Sequence, residues 1–305
     1  GQLTVTLEVS AVRVREVRSV AFGPNVPFEE RINNPRYEKI VANSPVQPFG
    51  PDDEQRTDLL RTDQLDDYVF RLNRHPGRRV DLGIAAAERD NELILDYYVS
   101  ENKPWLVYAQ VSNTGTEQTD EWRERFGFSH NQLTNADDIL SIDYVTASFD
   151  TSHAFNISYD RPIWGDWLRG KAFGSITEYT ASDVGATGSN FKGDSWTLGA
   201  ELIGSVFQRR DWFIDVYAGA RWEYINNEPS IGTGTSDDFF LTNVGARLSH
   251  NTDVQSLDVD VGFEIPFLDV SDTDTSELVK FNRLDPSTDW LLFQWSGSYS
   301  FYLEP

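Results

Sequence analysis

Ser256-Leu257-Asp258-Val259-Asp260-Val261-Gly262-Phe263-Glu264-Ile265 places an apolar residue at every second position. A period of two marks an extended strand with one apolar and one polar face. The pattern recurs in about ten stretches from Lys103 onward. They fall near Trp105–Val111, Trp122–His130, Ile139–Phe149, Ala154–Asp160, Lys171–Thr180, Ser195–Phe207, Trp212–Ile225, Phe239–His250, Val254–Ile265 and Trp290–Leu303.

The links between these stretches alternate in length. Those at Thr114–Glu121, Ser182–Asp194, Asn226–Asp238 and Pro266–Asp289 are long, whereas Gln132–Asp138, Arg161–Asp166, Gln208–Asp211 and Asn251–Asp253 are short. Only Asp150–Ser152 breaks the order. Outer-membrane barrels sort short turns to the periplasmic side and long loops to the outside, and a soluble sandwich has no reason to do so. The expected fold is therefore mainly β, with a transmembrane antiparallel up-and-down β-barrel in the C-terminal part.

Aromatic placement points the same way. All nine tryptophans lie at or after Trp105, and eight sit where an expected strand meets a turn: Trp105, Trp122, Trp164, Trp167, Trp196, Trp212, Trp222 and Trp290. Indole favours the membrane boundary because one edge is polar and the body is not. Taken singly, each tryptophan also fits an ordinary strand or core role.

The composition limits the alternatives. A hydrophobic fraction of 39% with mean hydropathy -0.46 is too polar for a helical membrane protein, and no run reaches the roughly 18 to 20 apolar residues a spanning helix needs. Only a closed barrel can otherwise cross a bilayer, because lipid offers no partner for free backbone groups. With 26 Lys and Arg against 49 Asp and Glu, net charge -23, there is no basic stripe for a nucleic acid. The acidic balance reads as a solvated surface. Cysteine is absent, so there is no disulfide framework or thiolate metal site. The chain starts at Gly1 without methionine or signal peptide, which suggests a removed leader or a piece of a longer sequence.

Before Lys103 the pattern changes. A strand pair is expected at Leu3–Val9 and Val12–Val20, then a short helix from Arg36 to Asn43, opened by Asn34-Pro35 and stopped by Ser44-Pro45. A second helix carries Leu65, Val69 and Leu72 on one face, with Asp63 as its cap; Pro76-Gly77 ends it. Two strands, Arg79–Ala87 and Glu92–Val99, follow across the turn Asp90-Asn91. That order describes a small α+β layer with two helices on one face of a three-stranded sheet.

The run Leu72-Asn73-Arg74-His75-Pro76-Gly77-Arg78-Arg79-Val80, then Val99-Ser100-Glu101-Asn102-Lys103-Pro104-Trp105, then Asn113-Thr114-Gly115 with Trp122-Arg123, resembles the passage from the last POTRA domain into the barrel of TpsB transporters. These are the two-partner-secretion members, of haemolysin and haemagglutinin secretion type, of the POTRA-barrel outer-membrane superfamily. The resemblance covers roughly residues 10 to 305 and is sharpest between Leu72 and Arg123. It implies periplasmic POTRA domains and a sixteen-stranded outer-membrane barrel that exports an unfolded exoprotein without a nucleotide cofactor. The family's Val-Arg-Gly-Tyr loop motif and last strands have no counterpart here. On this basis residues 1–9 are the end of a preceding POTRA domain or a linker, 10–102 a POTRA domain, and 103–305 an apparently incomplete barrel.

Ten strands left open would leave two unpaired edges in lipid, each unsatisfied group costing several kcal/mol. The chain can close as a narrow barrel, pair with another chain, or be incomplete, and the start at Gly1 and stop after Pro305 favour the last. In a complete transporter the alternation would turn Arg123, Arg125, Asp143, Glu201, Asp215, Arg221, Glu223, Arg247, Asp258, Asp260 and Glu264 into the conduit. A slip of one residue would exchange the two faces. Client capture would fall to the strand Arg79–Ala87, with Val80, Leu82, Ile84 and Ala86 at alternate positions, because the resembling family keeps this strand at a sheet edge. An edge can accept an extended peptide as an added strand; these side chains can equally serve only to cover the domain's helices.

Catalytic signatures are missing. His75, His130, His153 and His250 lie far apart without metal-ligand spacing, and there is no Gly-x-Ser-x-Gly elbow or phosphate-cradling loop. Asp269, Asp272, Asp274 and Glu277 gather in the link after Pro266 and could hold calcium through oxygen, but the spacing is not that of an EF-hand, and an acidic surface loop suffices. The chain is expected to be no enzyme, to need no cofactor, and to have an exoprotein client and outer-membrane lipid as partners, with its POTRA domain in the periplasm. A barrel-assembly or membrane-anchoring factor of the same superfamily and a passive porin-like pore are the alternatives. No residue pattern names the client or an oligomeric state.

Overall fold

A computed structural model describes residues 12–23, 26–48, 58–89, 91–184, 189–229, 234–271, 273–281 and 285–303. The chain divides into two units, Gly1–Lys103 and Pro104–Pro305.

In the N-terminal unit strand β1 (Arg13–Phe22) leads through a 3-10 turn at Pro35–Tyr37 into helix α1 (Glu38–Ala42). Pro35 opens the turn as expected, and the Asn34 side chain accepts the Arg36 N–H at 3.0 Å. Helix α2 (Thr62–Leu72) follows, then strands β2 (Arg78–Ala86) and β3 (Glu92–Glu101). The expected cap Asp63 lies inside the first turn of α2, where its charge meets the helix dipole; Arg61 holds the cap position without a side-chain bond. The stretch Leu3–Val9 lies outside the described residues.

The sheet order is β1-β3-β2, with β1 parallel and β2 antiparallel to β3. Both helices bury their apolar side chains on one face of it. Ile40 from α1, and Leu65, Tyr68 and Leu72 from α2, join Val14, Val17, Val80, Leu95, Tyr97 and Val99 in the core. Tyr97 is wholly buried, with its hydroxyl 2.7 Å from that of Ser44. Burial, only partly offset by that bond, pushes its pKa up to about 12.

In the second unit the ten alternating stretches are ten strands. They are β4 (Trp105–Ser112), β5 (Arg123–Asn131), β6 (Ile139–Ala147), β7 (Ser152–Trp164) and β8 (Leu168–Val184). Then come β9 (Ser189–Arg209), β10 (Trp212–Pro229), β11 (Thr235–Asn251), β12 (Gln255–Pro266) and β13 (Leu292–Phe301). Their order in the sheet is their order in the chain, all antiparallel. This is the up-and-down meander that the alternation predicts.

Two long links are shorter than expected. Most of Ser182–Asp194 and Asn226–Asp238 belongs to strands, because the hairpins β8–β9 and β10–β11 keep pairing through Thr180↔Lys192 and Asn227↔Thr235. Pairing holds these arms where the apolar alternation has faded. Trp196 and Trp222 therefore lie inside strands and not at their ends.

Candidate functional site

Antiparallel partners share a face, so the register assigns every wall residue to one side. Asp143 opposes Gly127 and Asn156, Asn156 opposes Ser175, Ser175 opposes Thr197, and Thr197 opposes Glu223. From β10 onward Asp215 opposes Arg247, Arg247 opposes Asp260, Ser249 opposes Asp258, and Gly219 opposes Asn243, which opposes Glu264. With the period-two alternation along each strand, these links put Arg123, Arg125, Asp143, Glu201, Asp215, Arg221, Glu223, Arg247, Asp258, Asp260 and Glu264 on the same face.

Most of these charges are paired across strands. Arg221 reaches Glu264 at 2.8 Å and Glu223 at 3.2 Å. Arg123 serves a loop instead, donating to the carbonyls of Asp120 and Thr119 at 2.8 and 3.2 Å. Asp258 accepts from Ser256 at 3.2 Å and Glu201 from Asn243 at 3.4 Å. Asp215 is buried.

One arrangement occurs twice. Arg125 Nε donates to Asp143 at 2.6 Å, the Tyr108 hydroxyl donates to the same carboxylate at 2.5 Å, and the guanidinium lies 5.5 Å from the Tyr108 ring. Arg247 Nε donates to Asp260 at 3.0 Å, the Tyr217 hydroxyl donates to it at 2.8 Å, and the guanidinium lies 5.4 Å from the Tyr217 ring. Each ring crosses a glycine on the next strand, Gly127 or Gly245, where any side chain would collide with it. Charge and cation–π attraction thus hold a tyrosine flat against the wall. The alternation pattern missed both tyrosines; glycine at an inward strand position is the sign that another group approaches closely.

The opposite face is apolar and exposed, as in Leu198, Leu202, Val216, Val244 and Val261. Aromatic residues bound it at two levels. Trp212 stacks on His250 at 4.2 Å at the start of β10, while farther along the strand pairs Trp222 lies 5.9 Å from Phe240 and Trp196 6.3 Å from Tyr224. Trp212 and Trp222 are ten residues apart on β10. At about 3.3 Å per residue and a tilt of roughly 40°, that separation is about 25 Å along a membrane normal, the height of the apolar band of an outer-membrane barrel.

The long link after β12 folds back over the polar face. Leu268 and Leu278, the latter in helix α3 (Thr275–Lys280), are buried, and the Thr273 hydroxyl donates to the Asp238 carbonyl at 2.5 Å. Between this link and the wall is a cavity of about 510 Å³ lined by Arg221, Glu223, Leu241, Glu264, Leu278 and Phe281. Of the four acids singled out there, Asp274 bonds to Ser276, while Asp272 and the Glu277 side chain lie outside the described residues. Among the described residues no group of three or more His, Asp or Glu is placed to hold a metal ion.

In the N-terminal unit β2 is a sheet edge. Ala87 N–H donates to Glu92 at 3.0 Å, so by alternation the odd-numbered residues of β2 turn their backbone groups to β3 and the even-numbered ones turn theirs outward. At Val80 those outward groups are met by Asn73, whose Oδ1 accepts the N–H at 2.7 Å and whose Nδ2 donates to the carbonyl at 2.9 Å. At Leu82, Ile84 and Ala86 the edge is open among the described residues. Val80 is 0% exposed and Leu82 packs against the core, whereas Ile84 is 50% exposed and Ala86 is also exposed.

Residues 92–228 match the family described as haemolysin secretion/activation protein ShlB/FhaC/HecB. The resemblance carried by the motifs is borne out. The match includes Val99–Trp105 and Asn113–Arg123; Leu72–Val80 lies ahead of it. The family is one of secretion proteins and transporters, not of enzymes. The heme/hemopexin transporter protein HuxB of Haemophilus influenzae (strain 86-028NP) is 27% identical over 152 residues, which is 48% of this chain and 26% of HuxB. CdiB from Escherichia coli superposes with a TM-score of 0.66 at 14% identity over 95% of this chain and 51% of its own. CdiB from Acinetobacter baumannii gives 0.54 at 14% identity over 84% and 47%. These similarities establish the fold. The chain spans about half the length of the CdiB chains and about a quarter of HuxB.

Proposed function

We propose that this protein is an outer-membrane translocator of the two-partner-secretion type. Its N-terminal α+β unit acts as a periplasmic POTRA domain that captures an unfolded exoprotein, and its ten-stranded sheet forms part of the wall of the conduit. The observation that carries this reading is the segregation of the sheet's two faces. Eleven acidic and basic residues share one face, seven of them joined in ion pairs, while the other is an apolar band of membrane height between tryptophans. A wall of charged and hydrogen-bonded side chains keeps water in the lumen and offers an extended chain few apolar places to stick. Val80, Leu82, Ile84 and Ala86 make the capture strand, with the backbone of the last three available for strand addition.

Deleting the gene should remove one large protein from the culture supernatant, and the Ile84→Pro variant should do the same while the barrel still assembles. Proline suits this test because position 84 turns its N–H outward, where its loss spares the bonds to β3. General depletion of other outer-membrane barrels would favour an assembly factor instead. Unchanged secretion together with reduced small-solute uptake would favour a passive pore.

A further inference from the structure

Strand β3 turns Tyr97 into the core and its neighbour Tyr98 to the face that the helices leave uncovered. There the Tyr98 ring lies across Gly83 of β2. A Cβ at Gly83 would stand 3.0 Å from Tyr98 Cζ and 3.1 Å from its hydroxyl oxygen, and nearer still to the ring edge. The ring therefore fills the space a side chain at position 83 would use. It remains 38% exposed, with the Phe22 ring, 40% exposed, 5.8 Å behind it.

Gly83 lies between Leu82 and Ile84, within the stretch of edge that is open among the described residues. Two pairs of opposite charge lie on this face. Arg18 makes two bonds to Asp96, at 2.7 and 2.9 Å, and Arg79 lies 3.6 Å from Asp81. A strand arriving at the edge thus meets an aromatic surface beside these pairs.

We infer that Tyr98, laid over Gly83, is the side-chain selector of the capture edge, favouring extended segments with an aromatic residue opposite Gly83. This rests on the strand-addition reading and specifies its ligand. In an ordinary sheet the residue opposite position 83 would pack against a side chain there; here it meets the edge of the tyrosine ring. Aromatic pairs in that geometry exceed the worth of their buried area. A serine in the same place loses that contact. On the other face the exposed Ile84 and Ala86 ask only for a small or aliphatic residue, so the segment's specificity lies on the Tyr98 side.

The test uses the full chain in detergent and a set of fluorescein-labelled ten-residue peptides of alternating threonine and valine, with one threonine replaced by Phe, Leu, Ser or Lys. Anisotropy should show the Phe peptide binding roughly three- to tenfold more tightly than the Ser peptide. Tyr98→Phe should keep that ratio. Tyr98→Ala should bring it to about one while Ser-peptide binding persists, which separates selection from a folding defect. Ile84→Pro should abolish binding of every peptide. A Phe-to-Ser ratio unchanged in Tyr98→Ala would overturn the selector role while leaving strand addition standing. Unaltered binding to Ile84→Pro, or no binding of any peptide to the unmodified protein, would overturn both.

Discussion

The side-chain amide of Asn73 lies against the main chain of Val80 as a neighbouring strand would, donating at 2.9 Å and accepting at 2.7 Å. It seals one end of an edge whose next three outward positions are open among the described residues. Proteins usually blunt such edges, so a seal that stops at Val80 defines where an added strand can begin. Asn73→Ala should destabilise the N-terminal unit by about 1–3 kcal/mol, the cost of stranding a buried donor and acceptor. Hydrogen exchange should quicken at the Val80 amide and stay unchanged at Val99; equal exchange at Val80 in both proteins would remove Asn73 from this role.

On the wall of the second unit, Tyr108 reaches Asp143 only because Gly127 between them carries no side chain. Gly127→Ala should push the ring off the sheet, break its bond to Asp143 and cost about 1–3 kcal/mol in detergent unfolding. Because the penalty arises from one contact, Tyr108→Ala combined with Gly127→Ala should be less harmful than the sum of the two. Strict additivity would mean that Gly127 acts through its backbone alone.

Tyr97 gives the N-terminal unit an alkaline limit. Its folded pKa is raised to about 12, against about 10 in an unfolded chain. A raised value means that the unfolded state releases the proton first. The contribution of Tyr97 is therefore fully present below pH 10 and lost as pH climbs toward 12. Alkaline unfolding followed by phenolate absorbance should show this loss in that window, and Tyr97→Phe should flatten it. An identical pH dependence in Tyr97→Phe would mean that other groups set the limit.

All ten strands of the sheet, and both helices over the smaller sheet, were legible because burial on one face imposes a period that survives in the sequence. The outer arms of β8 to β11 were not, since residues such as Thr180, Lys192, Asn227 and Thr235 are held by hairpin pairing and carry no apolar rhythm. The polar face was legible as a set of alternate residues. Its pairing was not: Arg125 meets Asp143, and Arg221 meets Glu264 43 positions away, through strand registers that no spacing along the chain encodes. The role of Asn73 was not legible for the same reason, because it depends on where the end of α2 falls relative to the β2 edge.

The face assignment itself can be tested one residue at a time, since the chain has no cysteine of its own. Asp260 pairs with Arg247 on the polar face, and Val261, its neighbour, points to the apolar band. With the protein in liposomes, Asp260→Cys should react with a charged, membrane-impermeant maleimide. Val261→Cys should resist that reagent and, carrying a nitroxide label introduced before reconstitution, should be relaxed by oxygen more than by a water-soluble nickel chelate. The same logic extends to charge. Val216→Arg, in the apolar band between Trp212 and Trp222, should cost about 2–4 kcal/mol and block insertion, whereas Ser175→Arg, on the polar face, should insert normally. Labelling of Val261→Cys together with protection of Asp260→Cys would mean that the two faces are exchanged, and the polar residues would then line no conduit.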